Sequence, residues 1–431
     1  MSTSLGPAAV PDTVKTRRQL TFVCLRFRFS VAVWFWVLKT WRKKADEWNK
    51  KIQRVATRNF GKVQSRKGLR KMHKKLLIPG PTEVSPEILR EQTRYVISHR
   101  DKEFMALYSG IIGKLENFFQ LPSNYKATVT TSSGTLWFDI VGRSIVKEKA
   151  LVCINGAFSE RFGETVRACG KKADFLEVDW GKAIKPNMIA EKLDSGGYDT
   201  LIICHNESST GVRNPIYEVG KMVRSDYPNV MLAIDSVSAM AGDRTIPSEI
   251  GCDVIFASTQ KCFALPPGLA VGIVSDRALE RARETPNRGA YTDLAEIFDF
   301  YERKHQTPFT PNIPLLYALD KRMDLLLEET YDCVYQRHKA MAEYTQQWAK
   351  RHFALFPEPG YESVTVTCIQ NTSGKSVKEL NEKLAERGFM ISNGYGKLAE
   401  KTFRIGHMGE WDLGGIKEVL AVIDEIWGLE K

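Results

Sequence analysis

Disulfide and metal-binding spacings are absent from this sequence of 431 residues. Its eight cysteines are scattered and none forms a CxxC pair, and its seven histidines form no HExxH motif. A disulfide framework, a structural zinc site and a metal-dependent active site therefore have no sequence support. A reducing compartment is the better expectation.

A long uninterrupted apolar run is missing as well. The most apolar stretch, residues 19–38, contains Arg26 and Arg28, so the uncharged run is far shorter than the roughly 20 residues that a membrane-spanning helix needs. No small-residue cleavage site follows this stretch, which gives a secretory signal little support. The chain also shows no internal repeat of the length that builds solenoids or propellers.

Acidic residues are scarce only at the start of the chain. Residues 1–75 contain 20 Lys and Arg but three Asp and Glu, whereas the remainder contains 42 basic and 48 acidic residues. The net charge of +11 is therefore concentrated in residues 1–71, an extension ahead of a mildly acidic body. A basic nucleic-acid-binding surface is thus expected only in this extension, and no nucleic-acid partner is expected for the body.

Three interpretations of the extension remain open. Its Arg-rich, acid-poor composition suits a targeting or transit segment, and its charge and aromatic residues suit an anchor to a membrane surface or to nucleic acid. The third is an extension without a role in catalysis, and Met72 would then be a sensible start for the body. We expect a cytoplasmic protein, or an organellar one if residues 1–71 are a transit segment; the terminal GLEK is not a peroxisomal SKL-type signal.

The body has the composition and pattern of an α/β protein. Hydrophobic residues make up 43% and charged residues 26% of the chain, which is ordinary for a soluble folded protein. Short apolar runs predict strands at 126–131, 150–154, 200–204, 230–235, 253–258 and 269–274, and amphipathic stretches predict helices at 101–119, 158–169, 186–194 and 214–226. This alternation indicates a mostly parallel sheet. The last two strands lie too close together for a crossover helix and are expected to be antiparallel.

A smaller α+β unit is predicted after a long helical region at 312–352. It comprises strands at 363–368, near 390 and at 402–406, and helices at 376–387 and 412–428. We therefore place a large domain at residues 72–330 and a small C-terminal domain at residues 331–431.

Three features of the large domain carry chemistry. Lys261 follows an apolar strand, where desolvation can lower the pKa of an amine and let it form a Schiff base. Asp235 ends another strand, at the edge where open α/β sheets bind ligands. The turn TTSSGT, residues 130–135, lies between a strand and a helix, where backbone N–H groups can approach a phosphate. Taken singly, a lysine after a strand is commonly solvated, an aspartate at a strand end commonly caps a helix or turn, and a turn of small residues commonly has no ligand. The order of the three features along the chain is more informative.

That order, together with eight local motifs, resembles the class V aminotransferases, in the branch that contains alanine–glyoxylate, serine–glyoxylate and serine–pyruvate aminotransferases. The resemblance runs from about Lys75 to the C-terminus, and residues 1–71 lie outside it. The motifs are LIPGPTEVSPEI (77–88), SHRDKEF (98–104), SSGT (132–135), NGAFSERF (155–162), HNESSTGV (205–212), AIDSVSAMAGD (233–243), ASTQKCFALPPG (257–268) and FRIGHMG (403–409).

The resemblance implies a fold-type I enzyme that depends on pyridoxal 5'-phosphate, with a mostly parallel seven-stranded sheet. Lys261 would form the Schiff base with the cofactor (the internal aldimine) and move the proton during catalysis. Asp235 would bind the pyridine nitrogen and keep the ring protonated. Val237 would pack under the ring, and Phe158 would stack on its other face, where the family often has Trp.

The other implied roles concern the phosphate and the substrate. Ser133, Gly134 and Thr135 would hold the phosphate with help from Gln260, while Thr310 would reach the phosphate of a neighbouring subunit, which implies a homodimer with shared active sites. In the substrate region, Ser208 and Thr210 would hydrogen-bond the cofactor near its phenolic oxygen. Arg404 would bind the substrate α-carboxylate, a task that suits a planar guanidinium.

These roles predict a ping-pong transaminase that moves an amino group from alanine or serine to glyoxylate or pyruvate, in the metabolism of glycine and serine. One departure bears on the substrate: the chain has Leu136-Trp137-Phe138 after SSGT, where the family usually has small residues, so the turn or the substrate pocket is expected to differ.

Other activities remain open. A phosphoserine aminotransferase would need further basic residues, for which His99 and Arg100 are candidates. A cysteine desulfurase would need a reactive loop cysteine, whereas Cys368 falls in a predicted strand and Cys333 in a predicted helix. A non-enzymatic protein that binds a membrane or nucleic acid through residues 1–71 is a further alternative. The presence of Lys261, Asp235 and Arg404 argues against it.

Overall fold

The computed structural model describes residues 73–430, which belong to one compact unit beginning at Met72. The interpretations of residues 1–71 as a targeting segment, an anchor or a non-catalytic extension therefore lie outside the described residues. No helix in residues 73–430 combines the length and the hydropathy that crossing a lipid bilayer requires.

The strands, in chain order, are β1 (Lys75–Leu77), β2 (Tyr125–Thr130), β3 (Lys149–Ile154), β4 (Lys172–Glu177), β5 (Thr200–Cys204), β6 (Asn206–Glu207), β7 (Val212–Arg213), β8 (Met231–Asp235), β9 (Val254–Ser258), β10 (Ala270–Ser275), β11 (Ala354–Leu355), β12 (Val366–Gln370), β13 (Phe389–Asn393) and β14 (Thr402–Gly406). The helices are α1 (Pro86–Glu91), α2 (Lys102–Phe118), α3 (Thr135–Ile140), α4 (Ala157–Ala168), α5 (Pro186–Asp194), α6 (Ile216–Asp226), α7 (Pro247–Ile250), α8 (Asp276–Glu284), α9 (Leu294–Lys304), α10 (Ile313–Glu329), α11 (Tyr331–His352), α12 (Val377–Glu386) and α13 (Leu413–Trp427).

The larger sheet has seven strands in the order β2-β10-β9-β8-β5-β3-β4. Strand β10 is antiparallel to both of its neighbours, and the other paired strands are parallel. The predicted mostly parallel sheet and the predicted antiparallel pair, β9 and β10, are therefore confirmed. Strand β4 is not predicted from the sequence, because this edge strand has charged ends that hide its short apolar pattern.

Both faces of this sheet are buried, which explains why its strands look continuously apolar rather than alternating. Successive residues of one strand belong to different cores: Leu151 and Cys153 pack on one face with α2 and α10, whereas Val152 and Ile154 pack on the other. The two-residue period of a strand produces this division. The carboxyl ends of the parallel strands consequently form a rigid edge between two cores.

The second sheet has five strands in the order β1-β13-β14-β12-β11. It packs against α11, α12 and α13, and Leu77 joins this C-terminal core although it comes from the start of the body. The predicted strand at 363–368 is Val366–Gln370 in the structure, because the Ser363 hydroxyl accepts hydrogen bonds from the N–H groups of Thr365 and Val366, both at 3.1 Å, and holds the chain in a local turn.

Candidate active site

A cavity of about 290 Å³ opens at the carboxyl ends of three central strands. Cys204, Asp235 and Ser258, the last residues of β5, β8 and β9, all line it. Nine of the twelve residues that the sequence singled out as a site also line it: Ser133, Gly134, Thr135, Phe158, Ser208, Asp235, Val237, Gln260 and Lys261. This edge of a parallel sheet is the usual place for a ligand.

The Lys261 side chain is enclosed by protein except towards the cavity. Its Nζ contacts the carbonyl oxygen of Pro79, and Thr82 Oγ1 donates a hydrogen bond to its backbone carbonyl at 3.0 Å. Burial lowers the pKa of Lys261 to about 8, an effect that the nearby negative groups Asp235 and Glu207 only partly oppose. Lys261 is thus an amine with a substantial neutral fraction near physiological pH, as a nucleophile requires.

Gly80 makes room for this lysine. Its φ of +103° favours glycine, and a Cβ at this position would lie 2.5 Å from Lys261 Cδ and 2.7 Å from Nζ. The surrounding motif LIPGPTEV carries the family resemblance, but no role for Gly80 is predicted from it. Only the tertiary structure brings residue 80 to residue 261.

Asp235 is 3% exposed. Within residues 73–430, one hydrogen bond reaches its carboxylate, from the N–H of Val237 to Oδ1 at 2.8 Å. Burial raises the pKa of Asp235 to about 7, with a further contribution from the negative charge of Glu207. A carboxylate with so few partners is ready to accept a proton or to pair with a protonated ring nitrogen.

The turn before α3 follows β2 and contacts the carboxyl end of β9. The N–H of Gly134 donates to Ser258 Oγ at 2.7 Å, and a Cβ on Gly134 would lie 2.5 Å from that oxygen. The N–H groups of Ser133 and Thr135 form no hydrogen bond within residues 73–430. Gln260 adds a buried Oε1 that likewise has no partner there. The two N–H groups remain available to an anionic ligand.

The bulky residues after this turn have two different positions. Trp137 is fully buried in the core, stacks on Phe256 at 5.8 Å and lies directly against Gly272 of β10. It therefore leaves the cavity unchanged. Phe138 does line the cavity, and it stacks on Phe162 at 4.2 Å.

The segment from His205 to Thr210 corrects one prediction. Ser208 lines the cavity as predicted, but Thr210 does not: its fully buried hydroxyl donates to the backbone carbonyl of Glu207 at 3.3 Å. Asn206 lines the cavity instead, and its Oδ1 is buried without a partner within residues 73–430. The sequence analysis missed Asn206 because strand β6, which orients it, is only two residues long.

Glu207 organises this side of the cavity from behind. It is fully buried, and its Oε2 accepts hydrogen bonds from the N–H groups of Phe158 at 3.1 Å and Ser159 at 2.9 Å, while Oε1 accepts from Ser209 Oγ at 2.6 Å. Its charge lies at the N-terminus of α4, where the helix dipole favours an anion. Glu207 therefore positions Phe158 and the neighbouring loop.

Arg404, in β14, lies beside the cavity rather than in its wall. Its Nε and Nη2 donate to the carbonyl oxygen of Asn393 at 3.2 and 3.0 Å, and its Nη1 donates to that of Ser208 at 3.0 Å. A guanidinium has five N–H groups, so two remain for a carboxylate. Burial lowers the pKa of Arg404 without removing its charge.

Thr310 lies outside the cavity of its own chain. It is exposed, and its hydroxyl lies 3.5 Å from Nε2 of His99. His99 and Arg100 also lie outside the cavity, and Arg100 donates to the carbonyl oxygens of Thr307 and Pro308 at 2.6 and 3.0 Å. Within residues 73–430, no group of three or more His, Cys, Asp or Glu is arranged to hold a metal ion.

Comparisons with known proteins agree with this geometry. The family Aminotransferase class-V matches residues 81–402. An aminotransferase of Methanocaldococcus jannaschii without an assigned substrate is 37% identical over 358 residues, which cover 81% of this chain and 91% of that protein. A serine–glyoxylate aminotransferase of Methylorubrum extorquens is 29% identical, over 78% of this chain and 86% of its own. The crystal structure of a phosphoserine aminotransferase from Cytophaga hutchinsonii superposes with a TM-score of 0.75 at 26% identity, over 82% of this chain and 98% of that one.

The fold and the cavity define a fold-type I pyridoxal-phosphate-dependent transferase. The chain belongs to the class-V aminotransferase family, and it is an aminotransferase whose cofactor is pyridoxal 5'-phosphate. The residues present fit this cofactor: the cavity combines a lysine of lowered pKa, a buried carboxylate with one hydrogen bond and a turn with free N–H groups.

Proposed function

We propose that this enzyme transfers the amino group of a small amino acid, alanine or serine, to glyoxylate or pyruvate by a ping-pong mechanism. The observation that carries this proposal is the convergence of Lys261, Asp235 and the Ser133–Thr135 turn on one cavity, with Arg404 beside it. The name of the Methylorubrum relative supports serine and glyoxylate as substrates. When bound, the cofactor accepts the electron pair released at the substrate Cα.

Three residues of the chain have distinct roles in this reaction. Lys261 would hold the cofactor and would take the proton from the substrate Cα as a general base, for which a pKa of about 8 suits it. Asp235 holds a proton at the pyridine nitrogen. Arg404 orients the substrate by its α-carboxylate through the two N–H groups that Ser208 and Asn393 leave free.

We propose further that Phe158 and Val237 pack against the ring, that Ser208 and Asn206 contact its polar edge, and that the Ser133–Thr135 turn with Gln260 binds the phosphate. All of these residues line the cavity.

A homodimer is part of this proposal. Thr310 is exposed and therefore able to reach the cavity of a second copy. Large hydrophobic side chains are exposed on the same unit: Tyr95 (96%), Val96 (69%), Tyr291 (43%) and Phe309 (36%). We expect sedimentation of the wild-type protein as a dimer, and a shift to monomer with loss of cofactor in Phe309→Glu. A fully active monomer would contradict the shared site.

The test is an absorption spectrum of the purified protein with pyridoxal phosphate, followed by single additions of alanine, serine and phosphoserine. We expect a visible band that alanine or serine removes and glyoxylate or pyruvate restores. Lys261→Ala should form no such band, whereas Lys304→Ala, on the last residue of α9, should behave like wild type. A band that forms equally in Lys261→Ala would overturn the assignment of Lys261.

The same experiment separates the other candidates. A phosphoserine aminotransferase, supported by the Cytophaga structure, predicts that phosphoserine removes the band far faster than alanine. A cysteine desulfurase has little support, because Cys333 is exposed on a helix and Cys368 is buried within β12 opposite Arg404.

A further inference from the structure

A second cavity, of about 690 Å³, lies next to the residue that follows β5 and shares no lining residue with the cofactor cavity. Cys204 and Asn206 line the cofactor cavity, whereas His205 between them lines the second one. The wall of the second cavity also includes the start of α6, two arginines and a loop: Arg213, Arg244 and Gly360–Tyr361. The proposed reaction uses none of these residues.

His205 is 1% exposed and is oriented by contacts with the strand end that carries Asp235. Its N–H donates to the carbonyl oxygen of Asp235 at 2.8 Å, and its Nδ1 lies 3.2 Å from Ser236 Oγ. Burial lowers the pKa of His205, so the ring is neutral at neutral pH. The buried Nε2 forms no hydrogen bond within residues 73–430, although Asp243 Oδ2 lies 3.4 Å away. A ligand in the cavity can supply the partner that this ring atom lacks.

The start of α6 provides two further donors. Pro215 precedes this eleven-residue helix, and no side chain caps its N-terminus. The N–H groups of Tyr217 and Glu218 lie in the first turn, where the helix offers them no acceptor, and they form no other hydrogen bond in the described part of the chain. The aligned peptide dipoles add a partial positive charge at this end, which favours an anion.

Two arginines border the same space. Arg213 pairs through Nε with Oδ2 of the buried Asp243 at 2.7 Å, and its two Nη groups form no hydrogen bond within residues 73–430. Arg244 is half exposed and pairs through Nη2 with Glu249 at 3.0 Å. Asp243 and Glu249 are thus already neutralised. Among the described residues, Glu218 is the acid of the wall that has no cationic partner and would oppose an anion.

We infer that this cavity is a second ligand site, which binds the phosphate or carboxylate group of a small soluble molecule. Guanidinium groups and helix N-termini bind the oxygens of both anions, and a neutral imidazole can donate one more hydrogen bond. The volume accommodates a molecule larger than the anion itself, with Tyr217 and Tyr361 in the wall. The inference does not depend on which amino acid reacts in the cofactor cavity.

The experiment is isothermal titration calorimetry of the holoenzyme with inorganic phosphate and with citrate, at constant ionic strength and with chloride as the reference anion. The holoenzyme is used because its cofactor then occupies the phosphate-binding turn of the active site. We expect saturable binding of at least one of the two anions with a Kd below about 5 mM. The comparison of phosphate with citrate identifies the anion that the site prefers.

Two substitutions should change this binding in opposite directions. Arg244→Gln should weaken it by about tenfold, the effect of one lost hydrogen bond between charged groups. Glu218→Gln should tighten it by about two- to fivefold, because it removes the like charge from the wall. The visible cofactor band should be unchanged in both variants, which shows that they fold.

Two controls test the position of the anion. Arg303→Gln changes an exposed arginine on α9 and should leave the Kd unchanged. Arg404→Gln should also retain the binding, because Arg404 belongs to the proposed substrate site.

Three results would overturn the inference. In the first, neither anion binds more tightly than chloride. In the second, Arg244→Gln binds as wild type does or Glu218→Gln binds more weakly. In the third, Arg404→Gln alone abolishes the binding, which would place the anion at the substrate site. The amino donors test the proposed function separately, so each conclusion can fail without the other.

Discussion

The seven-stranded sheet has one buried aspartate at the amino ends of its parallel strands and another at their carboxyl ends. The surroundings of these two aspartates differ sharply. Asp253, immediately before β9 at the amino end, is fully buried, and Asp235, the last residue of β8 at the carboxyl end, is 3% exposed. The two residues belong to neighbouring strands and experience similar burial. They differ in the number of partners that the fold provides for each carboxylate.

The Asp253 carboxylate has hydrogen-bond and ion-pair partners at both of its oxygens. It accepts hydrogen bonds from the N–H of Leu232 at 2.8 Å and from Ser275 Oγ at 3.0 Å, and it pairs with the half-buried Arg224 at 3.0 Å and Arg277 at 3.4 Å. Such a network links three strands to two helices. Its function is structural, because both oxygens of the Asp253 carboxylate already have partners.

At the carboxyl end the fold leaves groups unsatisfied. Asp235 has one hydrogen bond, and Asn206 Oδ1 and Gln260 Oε1 have none within residues 73–430. Buried polar groups without partners cost free energy, and a ligand bound in the cavity can supply the partners that these groups lack. The comparison shows that the active end of this sheet is recognised by its incomplete hydrogen bonding, not by its burial.

Asp235→Asn should change activity and stability in opposite directions, and this should be the largest effect among the variants considered. Burial raises the pKa of Asp235 from 3.8 to about 7, so between these pH values the folded protein holds a proton that the unfolded chain has released. The stability of the cofactor-free protein therefore falls as pH rises from about 4 to 7. The variant should lose this pH dependence of stability, and at pH 8 its free energy of unfolding should exceed that of wild type by up to about 4 kcal/mol. Transamination should fall by about 10²- to 10³-fold.

Urea unfolding at several pH values and steady-state kinetics measure the two effects separately. A variant that is both less stable and fully active would contradict the comparison.

Asp253→Asn should have the opposite profile. Loss of the charge leaves two arginines without their shared carboxylate, and we expect a loss of about 3 kcal/mol in the free energy of unfolding. Activity per folded molecule should stay within about twofold of wild type, because the change lies at the far end of the sheet. Urea midpoints and titration of bound cofactor provide the two measurements. An activity loss at unchanged stability would show that the amino end takes part in catalysis.

The Lys261 pKa should appear in the pH dependence of cofactor uptake. Burial lowers this pKa from 10.5 to about 8, and only the neutral amine is nucleophilic. The uptake rate should therefore fall about tenfold for each pH unit below pH 8 and level off above it. Stopped-flow absorption of the cofactor-free protein measures this profile. A midpoint above pH 10 would show that the lysine is solvated rather than buried.

The smallest expected effects come from a matched pair of serines at the two ends. Ser275→Ala removes a hydrogen bond to Asp253 and the cap of α8, so we expect a loss of about 1 kcal/mol in stability. Ser258→Ala removes the acceptor for the N–H of Gly134 and should chiefly weaken cofactor binding, by several-fold. Thermal unfolding with and without cofactor distinguishes them. Equal shifts of the unfolding temperature in both variants, with and without cofactor, would contradict the distinction between the amino and carboxyl ends of the sheet.

Much of the fold was predictable because burial on both sheet faces requires apolar strands with a simple pattern. The predicted segments 200–204 and 402–406 coincide with β5 and β14, and 253–258 differs from β9 by one residue. The site residues Lys261 and Asp235 were predictable because Asp235 ends an apolar strand, Lys261 follows another, and their order along the chain after the turn at 130–135 resembles the class V aminotransferases.

The sequence by itself therefore determined the α/β architecture and singled out Lys261, Asp235 and the turn at residues 130–135, since all of these are local patterns of one strand and the residues after it. Only the tertiary structure decided which distant residues meet there. Gly80 makes room for Lys261, Glu207 positions Phe158, Thr210 turns away from the cavity, and Arg161 and Arg404 approach one tyrosine. These contacts join residues from different elements, and their distances depend on how the strands and helices pack, which no local pattern records.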